Sequence, residues 1–270
     1  MNRFNVRKVA VLGAGVMGAQ IAAHLVNVKV PVVLFDLAAK EGPKNGIVAR
    51  AVENLKKLKP APLGIAEDAA FIEPANYEDN LDRLLECDLV IEAIAERMDW
   101  KLDLYRKVAP AIAPHAIVAS NTSGLSITKL SGVLPEEIQP RFCGIHFFNP
   151  PRYMALVELI ATPTTEPKIL DDLEAFVTSA LGKSVVRAKD DARYIEPANY
   201  EDDIAGLAEC DLVIEAIAER MDWKHDLYKK VAPHLAPHAI FATNTSGLSI
   251  TNLSEGFSDE LKSRFCGVHF

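Results

Sequence analysis

Cysteine is scarce in this sequence, and no two cysteines lie at short spacing. The 270 residues include Cys87, Cys143, Cys210 and Cys266, none in a C-x-x-C pair and none with a histidine at metal-ligand spacing. This excludes the common zinc-binding patterns, so no metal site is predicted. We expect free thiols in a reducing cytoplasm, with Cys87 and Cys143 packed in the core beside apolar strands.

Basic charge and long apolar runs are also lacking. The chain has 29 Lys and Arg against 37 Asp and Glu, a net charge of −8, so no broad basic surface is available for nucleic acid or an anionic membrane. No stretch is long and apolar enough to span a bilayer. Basic residues do precede the apolar run Val9–Ala23, as in a signal peptide, but glycines interrupt that run. We therefore expect a cytoplasmic protein.

An internal repeat dominates the organisation of the chain. Residues 71–147 and 194–270 align without a gap at an offset of 123, with 55 of 77 positions identical. Two copies at this spacing indicate a segmental duplication, because solenoid repeats are far shorter and more numerous. The sequence predicts one domain over 1–190, followed by 191–270 as a partial second copy of 68–147.

Short apolar runs alternate with amphipathic segments over the first 190 residues. This alternation predicts an α/β fold, a Rossmann-type doubly wound and mainly parallel sheet, followed by the duplicated partial α/β segment. The predicted strands are Val9–Leu12, Pro31–Phe35, Asp88–Ile94, Ile117–Ala119, Phe142–Phe147, Val157–Ile160 and Val185–Arg187. The predicted helices are Val16–Val28, Lys44–Leu58, Leu81–Leu85, Asp99–Val108 and Leu170–Leu181.

A glycine motif follows the first predicted strand and opens the first helix. In this context Gly13 permits a tight turn, Gly15 lets a pyrophosphate approach the backbone, and Gly18 lets helix and strand pack closely. Asp36 ends the second strand, where a carboxylate accepts hydrogen bonds from ribose hydroxyls and repels a 2′-phosphate, which favours NAD over NADP. No G-K-[ST] follows, so a P-loop is excluded. The six residues of the motif are Gly13, Ala14, Gly15, Val16, Met17 and Gly18.

Five segments in fixed order carry a resemblance to a known family. GAGVMG, DLVIEAIAE, NTSGLSI, GIHFFNP and LVELI, within about residues 6–190, resemble the 3-hydroxyacyl-CoA dehydrogenases of fatty-acid β-oxidation. The HFFNP segment followed by VE is far more specific than the glycine motif. The resemblance implies an NAD-dependent oxidation of (3S)-3-hydroxyacyl-CoA to 3-oxoacyl-CoA, with acyl-CoA as the substrate.

The resemblance also implies roles for individual residues. His146 matches the general base and Glu158 its carboxylate partner, while Ser123 matches a contact to the substrate oxygen. Histidine titrates near neutral pH, and a carboxylate on its other nitrogen fixes the tautomer. The 12 residues from His146 to Glu158 span two strand-like runs, which a hairpin-like return brings together. The remaining matches are Asn149 beside the catalytic pair, and Glu96 and Lys101 at cofactor-binding positions.

By residue type alone, more ordinary interpretations stay open. His146 then fits a histidine at a strand end, and Ser123 a turn or helix-cap residue. The histidines at 24, 115, 234 and 238 show no ligand-like clustering, so surface or cap positions are expected for them.

The resemblance breaks after residue 190. Family members continue into a helical domain that helps bind acyl-CoA, forms the dimer and supplies a further active-site Asn. The second copy stands in that place here, without a glycine motif and without counterparts of Asp36 and Glu158; we interpret its matching site residues as vestigial. Those residues are Glu215, Glu219, Lys224, Ser246 and His269.

The apolar strands of the second copy need neighbours. They could extend or cover the first sheet, pair with another chain in a homo-oligomer, or compete with the first copy to complete one sheet. The missing helical domain also leaves a second function open, namely a non-catalytic NAD-binding remnant of a rearranged dehydrogenase.

Overall fold

The computed structural model describes residues 5–189 and 198–269. The chain divides into two compact units, Met1–Ile195 and Glu196–Phe270. The predicted boundary at residue 190 falls in the stretch outside the described residues and stays a prediction. Each unit is taken by itself below.

The first unit is built on an eight-stranded sheet of order β3-β2-β1-β4-β5-β6-β7-β8. All neighbouring strands are parallel except β6 and β7, which are antiparallel. The fold is therefore the mainly parallel, doubly wound sheet that the sequence predicts. The strands are β1 (Val9–Leu12), β2 (Val32–Asp36), β3 (Ile72–Asn76), β4 (Leu89–Glu92), β5 (Ile117–Ser120), β6 (Phe142–Phe147), β7 (Leu156–Ala161) and β8 (Ser184–Lys189).

Helices cover both faces of this sheet. Alternate residues of each strand enter different cores: Val9 and Val11 of β1 pack under one set of helices, and Ala10 and Leu12 under the other. The helices are α1 (Val16–Asn27), α2 (Gly46–Leu55) and α5 (Pro167–Ser179) on the first face, and α3 (Met98–Val108) and α4 (Ile127–Ser131) on the second. Short 3₁₀ helices lie at Ala66–Phe71, Leu81–Glu86, Ala109–Ala111 and Gln139–Arg141.

Four sequence interpretations need correction. The strand β3 and the helix α4 are absent from the prediction, and the segment predicted as a helix at Leu81–Leu85 is a 3₁₀ helix. His24, expected at a surface or cap position, is buried on α1 with 7% of its surface exposed. Cys87 and Cys143 do lie in the core, and burial raises the pKa of each thiol to about 12, which leaves both unreactive.

The second unit repeats three strands of the first in a sheet of its own. Its strands are parallel in the order β11-β10-β9, and Ile240 pairs with Leu212 just as Ile117 pairs with Leu89. This is the duplicated partial α/β segment that the sequence predicts. Its elements are β9 (Leu212–Glu215), α6 (Met221–Val231), β10 (Ile240–Thr243), α7 (Ile250–Leu253), α8 (Asp259–Lys262) and β11 (Phe265–Gly267), with 3₁₀ helices at Ile204–Glu209 and Ala232–His234.

One face of the second sheet is covered and the other is open. The covered face holds an aromatic cluster around Tyr228, with ring centroids 5.1–5.9 Å from its three neighbours. On the open face, Leu212 is 51% exposed and Ile214 41% exposed. Their counterparts Leu89 and Ile91 are fully buried in the first unit, where α1 packs against the same face.

Among the described residues, no helix combines the length and apolarity that crossing a bilayer requires. The same residues contain no group of three or more His, Cys, Asp or Glu side chains arranged to hold a metal ion.

Candidate active site

The three motif glycines lie at the turn between β1 and α1, and two of them have no room for a side chain. Gly13 has φ +106°, and a Cβ on it would lie 2.9 Å from the carbonyl oxygen of Ala93. A Cβ on Gly18 would lie 1.8 Å from the carbonyl oxygen of Gly13. Around Gly15, by contrast, an added Cβ would meet no described atom within 4 Å. Gly15 therefore leaves open space at the start of α1, where backbone N–H groups and the helix dipole favour an anion.

Asp36 stands at the carboxyl end of β2 and is tied to the glycine turn. Its Oδ2 accepts a hydrogen bond from the backbone N–H of Ala14 at 2.7 Å, and its Oδ1 accepts one from the N–H of Leu37 at 2.7 Å. The carboxylate is thereby fixed at the cavity wall and keeps lone pairs for a further donor, such as a ribose hydroxyl.

Two cavities meet at Gly15, near the point where β1 and β4 lie side by side and the strand order reverses. The first, of about 470 Å³, contains Asp36, Leu37 and Tyr77. The second, of about 480 Å³, contains Ser123 and His146. Both sizes suit small-molecule sites, and this is the place in the sheet where doubly wound folds bind ligands. The walls that the two cavities share are Gly15, Ala93, Ile94 and Ala95.

His146 and Glu158 face each other across the antiparallel pair of β6 and β7. They are direct partners in the strand register, and His146 Nδ1 lies 2.8 Å from Glu158 Oε2. Because an ionised carboxylate can only accept, Nδ1 carries the proton and Nε2 keeps its lone pair. The imidazole also packs against Phe148, with ring centroids 4.5 Å apart. The sequence predicts this pair and its hairpin-like return, and the structure brings the two side chains together.

Asn149 also lines the second cavity, and its Oδ1 accepts a hydrogen bond of 3.3 Å from Gln20 Nε2 on α1. Asn121 holds the end of β6, because its Oδ1 accepts a hydrogen bond of 2.8 Å from the N–H of Phe147. The sequence reasoning missed both Gln20 and Asn121. Asn121 could have been found, since it is the first residue of the NTSG segment.

Glu96 and Ser123 are hydrogen-bonded to each other. Ser123 donates to Glu96 Oε1 from both its backbone N–H at 2.9 Å and its Oγ at 2.7 Å, and Gly124 N–H donates to Oε2 at 3.1 Å. Burial would raise the pKa of Glu96, but these three hydrogen bonds lower it below its ordinary value. Both residues border the second cavity. Since the hydroxyl proton is directed at Glu96, Ser123 Oγ presents its lone pairs to the cavity.

Lys101 lies behind the cavity wall rather than in it. Its side chain is fully buried, and Nζ donates to Glu92 Oε1 at 2.5 Å and to the carbonyl of Ile94 at 3.4 Å. Glu92, also fully buried, accepts further hydrogen bonds from Tyr105 and Ser120. In this structure Lys101 supports the segment 93–95 through the Ile94 carbonyl, and its direct contact with a cofactor stays a prediction.

The first cavity contains residues that the sequence reasoning did not select. Leu37 and Tyr77 form an apolar wall, and Tyr77 stacks on Phe35 at 5.9 Å. Trp100 and Lys107 come from one side of α3. Their spacing of seven residues, two helical turns, could have placed them on one face.

The second unit reproduces part of this site. Ser246 donates to Glu219 from its N–H at 2.7 Å and its Oγ at 2.9 Å, and Lys224 pairs with buried Glu215 at 2.6 Å. Within residues 198–269, however, no glycine turn precedes β9, and β9 pairs only with β10. The second unit therefore offers no counterpart of the two adjoining cavities.

The family model that describes the 3-hydroxyacyl-CoA dehydrogenase NAD binding domain matches the chain twice, over residues 8–192 and 188–270. The second match agrees with the predicted partial copy. Among curated relatives, a probable 3-hydroxyacyl-CoA dehydrogenase of Deinococcus radiodurans is 44% identical over 186 residues, 68% of this chain and 54% of the relative. The human mitochondrial hydroxyacyl-coenzyme A dehydrogenase is 37% identical over 199 residues, 70% of this chain and 61% of the relative.

A putative fatty acid oxidation complex trifunctional enzyme of Rickettsia felis is 44% identical over 191 residues, 70% of this chain. The chain spans 26% of that relative, 54% of the Deinococcus relative and 61% of the human relative. Each share is less than two thirds of the relative's own length. Among solved structures, the (S)-3-hydroxybutyryl-CoA dehydrogenase PaaH1 from Ralstonia eutropha matches with a TM-score of 0.56 and 32% identity. That match covers 76% of this chain and 70% of PaaH1.

Proposed function

The chain belongs to the 3-hydroxyacyl-CoA dehydrogenase family, and on that premise we propose that its first unit interconverts a (3S)-3-hydroxyacyl-CoA and the corresponding 3-oxoacyl-CoA with NAD. The observation that carries this proposal is the direct pairing of His146 with Glu158 beside a cavity that reaches the glycine turn. The thioester, the stereochemistry and a role in fatty-acid β-oxidation are carried over from the family. The cytoplasm is proposed as the compartment because a reducing environment suits the four free thiols.

The residues present fit a dinucleotide. The pyrophosphate would lie on the N-terminus of α1 above Gly15, with one nucleoside in each adjoining cavity. Asp36 would accept a hydrogen bond from a ribose hydroxyl and disfavour a 2′-phosphate, which supports NAD over NADP. When bound, NAD supplies the acceptor for the hydride of the alcohol carbon.

The proton of the substrate hydroxyl goes to His146. Its Nε2 carries the lone pair, because Nδ1 donates to Glu158. The carboxylate stabilises the imidazolium that forms and keeps the ring in the working tautomer. Ser123 Oγ borders the same cavity and would contact the substrate oxygen by turning its hydroxyl from Glu96 to donate to that oxygen, which leaves the single hydroxyl proton of the substrate for His146.

A second candidate is a non-catalytic NAD-binding protein. It is favoured by the second unit, which follows the first directly in the chain and offers no glycine turn. Substrate binding energy from the CoA part normally supports turnover, so a protein without contacts to CoA would bind the cofactor without efficient chemistry.

The test is NADH oxidation by the purified full chain with acetoacetyl-CoA, with NADH binding measured separately by fluorescence. We expect turnover, and we expect His146→Ala to lower kcat by about 10²- to 10⁴-fold, the usual contribution of a general base, without weakening NADH binding. The matched control is His269→Ala in the second copy, which should change neither quantity. Turnover that survives His146→Ala would refute the assignment. NADH binding without turnover in the unmodified chain would favour the second candidate.

A further inference from the structure

Lys183 is a buried cation with an unusual set of partners. It lies between α5 and β8 and is 5% exposed. Its Nζ donates to the carbonyl oxygens of Pro151 at 2.5 Å, Met154 at 2.8 Å and Arg152 at 3.3 Å. Among the described residues, no carboxylate lies within ion-pair distance of it. A buried ammonium is tolerated only when its donors are satisfied, and here three carbonyls satisfy them.

All three carbonyls belong to the turn that joins β6 to β7. Within that turn, the N–H groups of Tyr153 and Met154 both donate to the carbonyl of Pro150, at 3.0 and 3.1 Å. Ser184, which follows Lys183 in the chain, donates from its N–H to the carbonyl of Ala155 at 2.8 Å. Lys183 Nζ and the N–H of Ser184 thus hold the backbone carbonyls of the turn from Pro151 to Ala155.

The same turn controls the proposed catalytic pair. His146 is near the end of β6, Glu158 near the start of β7, and Phe148 and Asn149 lead into the turn. Phe148 packs on the imidazole, so a shift of the turn moves both the ring contact and the partner strand. Errors of about 1 Å at reacting groups can cost about 10²-fold in rate.

We propose that Lys183 is a positioning residue for the His146–Glu158 pair, acting through its three hydrogen bonds to the turn that joins their strands. This inference rests on the function proposed above. Without the ammonium, the buried carbonyl of Pro151 and the partly buried carbonyls of Arg152 and Met154 lose this donor, and the turn relaxes to reach other donors. His24 is compatible with this arrangement, because burial together with the nearby charges of Lys183 and Arg152 lowers its pKa to about 4, so it stays neutral and adds no second positive charge beside the ammonium.

Two side chains of the turn are anchored separately to another segment of the first unit. Loss of Lys183 should therefore loosen the turn without unfolding the unit. Arg152 donates to the carbonyls of Ala61 and Leu63 at 2.7 Å each, and Tyr153 Oη donates to the carbonyl of Ala61 at 2.8 Å. These contacts are made by the side chains of Arg152 and Tyr153 and do not involve Lys183.

The experiment uses Lys183→Met in the full chain, with Lys168→Met as the matched control, because Lys168 is an exposed cation whose ion pair among the described residues is with Asp172. Three quantities are measured: kcat and KM with acetoacetyl-CoA, NADH affinity by fluorescence, and hydrogen exchange of the peptide that covers 150–156. We expect kcat to fall about 10- to 100-fold, NADH affinity to stay unchanged, and exchange to rise in that peptide alone. The control should change none of them.

Lys183→Arg gives the second test, since a guanidinium keeps donors near the same carbonyls. It should restore part of kcat and of the exchange protection. Unchanged exchange at 150–156 in Lys183→Met would overturn the inference, and so would unfolding of both variants, because Lys183 would then serve the fold as a whole. If the unmodified chain shows no turnover, the proposed function fails, while the exchange measurement still decides whether Lys183 holds the turn.

Discussion

Because of the duplication, the same substitution can be made at equivalent positions on one face of two sheets. Helices cover this face of the first sheet, whereas the equivalent face of the second sheet is exposed. Ile91 on β4 is fully buried, whereas its counterpart Ile214 on β9 is 41% exposed. Truncating a buried isoleucine to alanine costs about 2–5 kcal/mol. The same change at a position that is about half covered should cost roughly 1 kcal/mol, because full burial of such a side chain contributes about 1.5–3 kcal/mol. Ile91→Ala should therefore destabilise its unit about threefold more than Ile214→Ala destabilises the other.

The chain supplies its own reporters for this measurement. It contains two tryptophans, Trp100 on α3 and Trp223 on α6, one in each unit. Each indole lies 4.5 Å from an arginine guanidinium, a contact that unfolding breaks. Trp223→Phe leaves a reporter for the first unit, and Trp100→Phe leaves one for the second. Urea titrations of these two backgrounds, with and without the isoleucine substitutions, give the free energy of unfolding of each unit separately.

Equal losses at the two positions would refute the reasoning. They would mean that Ile214 is as fully covered in solution as Ile91, and hence that something packs on the open face of the second sheet. The titration of the second unit would then depend on protein concentration if that cover were another chain.

Three further results follow from individual side chains. Gly18→Ala should lower the melting temperature of the first unit through its clash with the preceding glycine carbonyl, whereas Gly15→Ala should fold normally and weaken NADH binding, measured by melting and fluorescence titration. Glu96→Gln should lower kcat about tenfold, because an amide cannot accept at all three donors, while Glu219→Gln in the second copy should leave kcat unchanged. The pKa of His24 falls from 6.5 to about 4, chiefly through burial, so the unfolded chain binds the proton more tightly and stability declines as pH drops through this window. His24→Phe should remove about 2 kcal/mol of that decline between about pH 7 and 4.5, seen in urea midpoints at these two pH values.

The nucleotide half of the site could be predicted because its chemistry is local in sequence. Gly13, Gly15 and Gly18 lie within six consecutive residues, and Asp36 ends the next strand. The His146–Glu158 pair could be predicted for a similar reason, since two short apolar strands joined by a proline-containing turn return on each other. In both cases the residues that meet are close in the chain or on adjacent strands.

The strand β3 could not be read from the sequence, because Pro74 lies in its middle. An inner strand forms backbone hydrogen bonds to a neighbour on each side, and proline has no N–H to donate. A proline in the middle of a segment therefore argues against a strand. It is tolerated here because, in the described part of the chain, β3 is the edge of the sheet and pairs on one side with β2. Strand order decides this point, and strand order is a property of the whole fold.

The roles of Lys101 and Lys183 were also hidden from the sequence. Each is a cation whose partners come from other elements: Glu92 on β4 for Lys101, and the carbonyls of the β6–β7 turn for Lys183. A lysine on a helix or at a strand end ordinarily faces water, and no local pattern distinguishes the buried one. The same holds for His24, whose burial on α1 follows from the packing of distant segments.

The second unit shows which site residues serve the fold. The pair of Glu215 and Lys224 and the hydrogen bonds of Glu219 recur there with nearly the same distances, although this unit has no glycine turn to hold a cofactor. The buried pair needs its partners wherever the segment folds, and the exposed hydrogen bonds of Glu219 recur without a cofactor site, so the presence of these contacts alone is not a sign of catalysis. In the first unit the case for Glu96 and Ser123 therefore depends on their place beside Gly15 and His146, which the second unit does not reproduce. Position relative to the glycine turn and to the His146–Glu158 pair, rather than residue identity, separates the proposed active copy from the other.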